Sequence, residues 1–438
     1  MNDRGEPLYK SRPVAPSAAR FGRCWRYGKR ILASEGCSNV YLIESGEGNV
    51  LVNTGMAFEA PVHEQNLESL SAGSTRKLRY IVYTQGHVDH VGGTGYFRDL
   101  NPGLEVIATE ANREHQDYDE RLAAFRSARS AFRFTDDFIE VFADYAAAGY
   151  TDYPPQLKTV ADRHFNDSFL LQVGDLALEL VAQPGAETND SLVVWWPDER
   201  ICLTGNLFGC PFGHFPNLVT IRGDRYRDAL VCAEAAQTVL DLQPETILYG
   251  HHGPVEGADV CRAEVMAIRD ALLYVHDQVV KGMNSGLSLE TLQQQIELPA
   301  ACEVGEGYGK VSWSVRAIWE HYAGWFKHRS TTELYAVPRS AVHDDLVELA
   351  GARALLQRAR DKAAAGEFEQ CLHLLDILLD ADAENAETVA LAVDVHQRLL
   401  ADAKTFRSTG NFWLVGWLQH RVKALESAPS DSLTSVIK

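Results

Sequence analysis

Leu78-Arg79-Tyr80-Ile81-Val82-Tyr83-Thr84-Gln85-Gly86-His87-Val88-Asp89-His90-Val91-Gly92-Gly93 is the stretch that decides the reading of this chain. Its first six residues are an apolar, β-prone run, which predicts a strand. The glycines give the following loop a tight path, and His87, Asp89 and His90 crowd a single turn of it. Imidazoles and a carboxylate at that spacing, fixed to the end of a rigid strand, can converge on one or two borderline-soft cations.

Around this stretch lies a chain of 438 residues, too long for one ordinary core, so two domains are expected. An apolar fraction of 46% with 23% charged residues is that of a soluble globular protein. The formal charge of -19 argues against nucleic acid or an anionic membrane as partner and leaves a small-molecule substrate. Eight cysteines lie far apart with no Cys-x-x-Cys pair, so they read as buried small hydrophobes in a reducing, cytoplasmic setting. Residues 1–30 carry Arg4, Lys10, Arg12, Arg20, Arg23, Arg26, Lys29 and Arg30 without an apolar segment after them, and read as a basic, solvated arm. No run reaches the roughly 18–20 apolar residues of a membrane span.

From Ser38 the chain alternates strand and turn: Asn39 to Glu44, a Gly46-Glu47-Gly48-Asn49 turn, then Val50 to Gly55. A helix is expected over Ala60 to Ser71, and the segment from Glu110 to about Val160 is expected to overhang the metal loop as a lid. Strands follow at Phe169 to Val173, Leu178 to Gln183, Ser191 to Trp196, Ile201 to Gly205 and Thr246 to Tyr249. Two sheet halves, each followed by helices, predict an α/β fold of the αβ/βα sandwich type over residues 31–262. Residues 263–438 turn to helix-forming composition, with helices expected over Asp344 to Ala365, Phe368 to Ala381, Ala386 to Ala401 and Trp413 to Glu426, short antiparallel pairs of tetratricopeptide-like character.

The metal loop resembles the His-x-His-x-Asp-His-x-Gly-Gly signature of the metallo-β-lactamase superfamily, with Gln85 in place of the first histidine. Tyr274-Val275-His276-Asp277-Gln278, Ile296-Glu297-Leu298-Pro299, Gly307-Tyr308-Gly309, Val315-Arg316-Ala317-Ile318-Trp319, Gly324-Trp325-Phe326 and Asn411-Phe412-Trp413-Leu414 are similar, in order, to the region that follows the metal domain in alkylsulfatases. The resemblance implies a homodimer formed through the helical domain. Alkylsulfatases usually continue into a sterol-carrier-like domain that can shelter the alkyl tail; no such domain is expected here, which leaves the preference for a long alkyl chain open.

The same resemblance implies the remaining site residues. Pro184-Gly185-Ala186-Glu187 is similar to the alkylsulfatase Pro-Gly-Thr-Glu and makes Glu187 a metal ligand. Tyr249-Gly250-His251-His252-Gly253-Pro254 matches the last ligand loop in two ways: one alignment makes His251 the ligand, the other His252. His251 is preferred, with His252 as proton carrier or orienting partner. Thr204-Gly205-Asn206 falls where the family has its bridging carboxylate, and Asn206 offers only a neutral amide oxygen. Two divalent ions would be balanced by Asp89, Glu187 and one hydroxide alone. One zinc held tightly by Asp89, His90 and His251 is therefore expected, with a second held weakly by Gln85, His87 and Glu187. Oxygen-rich donors widen the choice to iron or manganese.

Thr220-Ile221-Arg222-Gly223 is similar to the alkylsulfatase Thr-Leu-Arg-Gly, whose arginine faces the sulfate, so Arg222 is expected to grip an anionic head. Asn217 and Tyr308 match substrate-side positions, whereas Pro216 and Gly307 stand where the family has a histidine and a second tyrosine. The expected activity is metal-dependent hydrolysis of a sulfate ester or related small anionic ester, with catalysis assigned to Asp89, His252, Arg222 and Tyr308. Two alternatives stand beside it: hydrolysis of a lactone, amide or phosphoester, and a catalytically weak metal-binding dimer.

Overall fold

The computed structural model describes residues 7–427. Among the described residues thirteen strands form two sheets. The first is β1 (Cys24–Tyr27), β2 (Ile31–Ser34), β3 (Val40–Ile43), β4 (Asn49–Val52), β5 (Leu78–Val82), β6 (Glu105–Thr109) and β7 (Arg163–Phe165), in that spatial order. The second is β8 (Ser168–Val173), β9 (Leu176–Ala182), β10 (Leu192–Trp196), β11 (Ile201–Gly205), β12 (Thr246–Tyr249) and β13 (Val255–Glu256), also in chain order across the sheet. The first sheet opens antiparallel through β4 and is parallel from β4 to β7. In the second, only β11 and β12 are parallel.

The sheets bury one face against each other. Tyr41, Val50, Val82 and Ile107 from the first meet Leu178, Leu180, Val194, Leu203 and Leu248 from the second in one apolar layer. Both remaining faces are covered by helices. Leu32, Leu42, Leu51 and Ile81 pack under α1 (Ala60–Leu70), α2 (Val88–Val91) and α3 (Thr94–Leu100). Next in the chain come α4 (Ala111–Arg121) and the 25-residue α5 (Ala123–Ala147). Phe58 meets Phe138 and Phe142 of α5 edge-on, at centroid distances of 5.6 and 5.1 Å. Beyond the second sheet lie α6 (Ala229–Leu242), α7 (Ala258–Asn284), α8 (Leu289–Gln295) and α9 (Val311–Ala323), whose apolar stripes join Val193, Cys202 and Ile247 in the largest core. The architecture is the αβ/βα sandwich expected from the sequence.

The basic arm expected from the sequence needs correction. Residues 24–27 of the presumed arm form β1, pairing Cys24 with Ser34, because Trp25 and Tyr27 pack on the core while Arg26 points outward to Glu44. Earlier still, Arg12 is drawn in as a strap: its guanidinium donates to the carbonyls of Gly253 (3.1 Å) and Pro254 (2.6 Å), while the Leu8 N–H donates to Glu264. The first compact unit runs to Tyr322, past the boundary expected after residue 262. The cause is the apolar stripe of Val265, Ile268, Leu272, Val275 and Val279 on α7, which belongs to the sandwich core.

The second unit begins at Ala323 and is helical: α10 (His343–Ala350), α11 (Ala352–Ala364), α12 (Phe368–Ala381), α13 (Ala386–Thr405) and α14 (Phe412–Ser427). The single helix expected over 344–365 is broken at Gly351, where φ is 82°. Ala359, Cys371, Leu375, Ala392, Val395 and Leu425 make its core. Among the described residues no helix is long and apolar enough to cross a membrane.

Candidate metal centre

The loop after β5 is bolted to the end of β4 before it reaches its polar residues. Asn53 accepts the Thr84 N–H at 2.9 Å, and Thr54 N–H donates to the His90 carbonyl at 2.8 Å. His87 then starts the one-turn helix α2, which carries Asp89 and His90. His90 Nδ1 lies 3.1 Å from Ser38 Oγ, which leaves Nε2, without a hydrogen-bond partner, facing Asp89 Oδ2 at 3.5 Å. His251 arrives from the loop after β12. Its Nε2 is 4.0 Å from the same Asp89 oxygen, and its ring is perpendicular to that of His90.

One donor atom each from Asp89, His90 and His251 thus lies within 4.8 Å of the others, the one such group of three among the described residues. Burial pushes both histidines down to about 3, so their rings are neutral and carry lone pairs at ordinary pH. Burial also raises the Asp89 carboxyl, against the opposing pull of His251, Arg222 and Arg126. Two buried imidazole nitrogens without partners beside a desolvated carboxylate form a donor set that fits a divalent cation.

The other sequence-derived positions lie differently. Gln85 is buried and neither amide atom has a hydrogen-bond partner; the same holds for Asn206 Oδ1, at the end of β11. His87 Nε2 faces Asp224 Oδ2 at 3.6 Å. Glu187, between β9 and β10, sits 3.0 Å from Arg227 Nη2, with burial pushing its carboxyl up to about 7. Arg227 also donates through Nε to the Glu187 carbonyl at 2.6 Å, so the residue is held at both ends. His252 is turned away from His251 by a left-handed backbone (φ 62°), with its carbonyl taken by Asn39 at 2.7 Å and its Nε2 buried without a partner. Burial, then Arg12, push it down to about 4.

Arg222 lies on Asp224 at 3.3 Å. Asn217 is buried, with its carbonyl accepting from Arg227. Tyr308 is half-buried before α9, and burial raises its hydroxyl well above the usual range.

Four residues at this site were not singled out from the sequence. Arg227 and Asp224 belong to the run Arg222-Gly223-Asp224-Arg225-Tyr226-Arg227-Asp228, whose alternating charges were the available signal. Arg126 and His115 come from α5 and α4 and carry no local cue. The His115 ring lies 5.3 Å from that of His87, its Nδ1 is 3.0 Å from Asn189 Oδ1, and its Nε2 has no hydrogen-bond partner.

Two family models match the chain: the metallo-beta-lactamase superfamily over residues 34–251 and alkyl sulfatase dimerisation over residues 290–421. A linear primary-alkylsulfatase of Pseudomonas sp. (strain ATCC 19151) is 26% identical over 390 residues, covering 84% of this chain and 70% of that protein. An alkyl/aryl-sulfatase of Saccharomyces cerevisiae is 25% identical over 406 residues, covering 88% of this chain and 61% of that one, so less than two thirds of its length is spanned. Among solved structures, a stereoselective inverting sec-alkylsulfatase from Pseudomonas sp. superposes with a TM-score of 0.77 at 20% identity, over 94% of this chain and 67% of the other, which shows the shared fold. With the sandwich and the helical region matched in order, the chain carries a metallo-β-lactamase superfamily domain over residues 34–251 followed by an alkylsulfatase dimerisation domain over residues 290–421.

Proposed function

We propose that this protein is a metal-dependent hydrolase that cleaves a sulfate ester or a related small anionic ester, with zinc held by Asp89, His90 and His251. The observation that carries the reading is the convergence of those three side chains, two of them neutral imidazoles, beside the arginine-rich loop 222–227. A cation at this position supplies Lewis acidity and lowers the pKa of water toward neutrality. Asp89 fixes the centre and balances its charge. Arg222 orients the anionic head, with Asn217 and Tyr308 on the substrate side, and the buried His252 Nε2 is the group assigned to proton transfer. Sulfatase names among the relatives support the ester class.

A second ion is bound weakly in this reading, because Glu187 and His87 face Arg227 and Asp224 and position 206 carries no carboxylate. The match to the dimerisation family supports a homodimer through the helical region, and eight cysteines without disulfides support a reducing, cytoplasmic setting. The test is a substrate panel of sulfate, phosphate, lactone and β-lactam compounds, run on protein whose metal content has been measured after purification without added zinc. Sulfate-ester turnover that tracks one metal equivalent supports the reading. Turnover confined to lactones or phosphoesters replaces it.

A further inference from the structure

Asp224 sits where the cationic wall of the site converges. The loop turns at Gly223, with φ at 91° and its N–H donating to the Thr220 carbonyl at 2.9 Å, which folds the Asp224 carboxylate back on Arg222. Oδ2 then lies 3.3 Å from Arg222 Nη2, 3.2 Å from Arg126 Nη2 and 3.6 Å from His87 Nε2. Oδ1 accepts the Tyr118 hydroxyl at 3.1 Å and the Arg225 N–H at 2.8 Å. The side chain is only 8% exposed. These donors come from the loop after β5, from α4 and α5, and from the Asp224 loop itself.

Two planar guanidinium groups and a phenolic hydroxyl around one buried oxyanion, at the edge of a metal centre, are the donors that recognise a tetrahedral oxyanion such as sulfate. We infer that Arg126, Arg222 and Tyr118 form an oxyanion seat and that Asp224 is its resident occupant, an internal substitute for the anionic head of the substrate. An incoming oxyanion must displace this carboxylate, so Asp224 weakens oxyanion binding and selects heads that hold the seat more strongly than a carboxylate does. Arg126 is shared with Asp119, but with Asp224 removed Arg222 loses its one ion-pair partner among the described residues. The seat deepens the sulfate-ester reading and rests on it for turnover; its binding chemistry stands apart.

The experiment compares wild type, Asp224→Ala and Asp224→Asn in the full chain, at equal metal content and constant ionic strength. Binding of inorganic sulfate is measured by calorimetry with chloride as the control anion. At least tenfold tighter sulfate binding in Asp224→Ala is expected, with the gain removed by adding Arg126→Met. Unchanged or weaker sulfate affinity in the folded Asp224→Ala overturns the inference; should that variant not fold, unchanged affinity in Asp224→Asn does the same. A gain that survives Arg126→Met also overturns it, since the sulfate would then be bound elsewhere. The KM for a sulfate ester should fall by a factor similar to the gain in sulfate binding. Tighter sulfate binding with no sulfate-ester turnover in any variant sustains the seat while overturning the proposed reaction.

Discussion

His214 gives the sharpest expectation for stability. It is fully buried between the end of the second sheet and the segment before α9, bridging to Gly305 and accepting the Gly307 N–H on Nδ1 at 2.9 Å. A proton can enter the neutral ring only at Nδ1, where it would confront that N–H. Burial, followed by His252, accordingly pushes His214 down to about 3. Because the folded value lies below the unfolded value of about 6.5, the unfolded chain binds the proton first and stability falls as pH drops through 6.5 toward 3. This one residue should remove about 0.7 kcal/mol at pH 6 and about 2 kcal/mol at pH 5 relative to pH 7. His214→Asn keeps an acceptor for Gly307 and cannot titrate. Its urea-unfolding free energy should start about 1–2 kcal/mol lower at pH 7.5 yet lose about 2 kcal/mol less than wild type on going to pH 5. Equal acid losses in the two proteins would refute the assignment.

Three further outcomes are expected. Asp89→Ala, His90→Ala or His251→Ala should abolish metal retention and activity with an unchanged far-ultraviolet circular dichroism spectrum, because the one-turn helix α2 contributes little to the core; elemental analysis after dialysis reads the loss. Gln85→His combined with Asn206→Asp adds an imidazole and a carboxylate at two buried positions whose amide oxygens lack hydrogen bonds, and should raise affinity for a second zinc at least tenfold, or about 1.4 kcal/mol, in a competition titration. Glu187→Gln keeps an oxygen for Arg227 to donate to, and because burial already pushes the Glu187 carboxyl up to about 7 it should cost no more than about 1 kcal/mol in chemical denaturation at pH 7, similar to breaking an exposed pair such as Arg262 with Asp259.

The strand and loop of residues 78–93 were legible because their information is local: an apolar run, glycines and clustered His and Asp occupy sixteen consecutive residues. The sandwich was legible for a similar reason, since buried strands read as short apolar runs between turns. What stayed hidden depends on distance along the chain. Arg126 meets Asp224 across 98 residues and Arg227 meets Glu187 across 40, and no period or motif encodes such a meeting. The choice between His251 and His252 was open because two alignments fit the same letters; the left-handed backbone at His252 separates the two rings and groups His251 with Asp89 and His90. The packing of α7 was not legible because it has the same helix-forming composition as the second unit, and only its apolar contacts place it in the sandwich core.

The strap from Leu8 to Arg12 has a consequence for the order of events in synthesis. Arg12 closes on Gly253 and Pro254, next to the loop that delivers His251, and Tyr9 closes on Glu303. The first described residues to leave the ribosome therefore wait for nearly three hundred more before they find their partners. Contacts of such sequence separation fold slowly and expose apolar strands in the meantime. Asp89 and His90 emerge long before His251, so a nascent chain can offer a metal only part of its final coordination. With the ligands proposed above, metal loading would have to follow the synthesis of His251, and the yield of loaded protein should respond to the speed of translation as well as to the supply of metal.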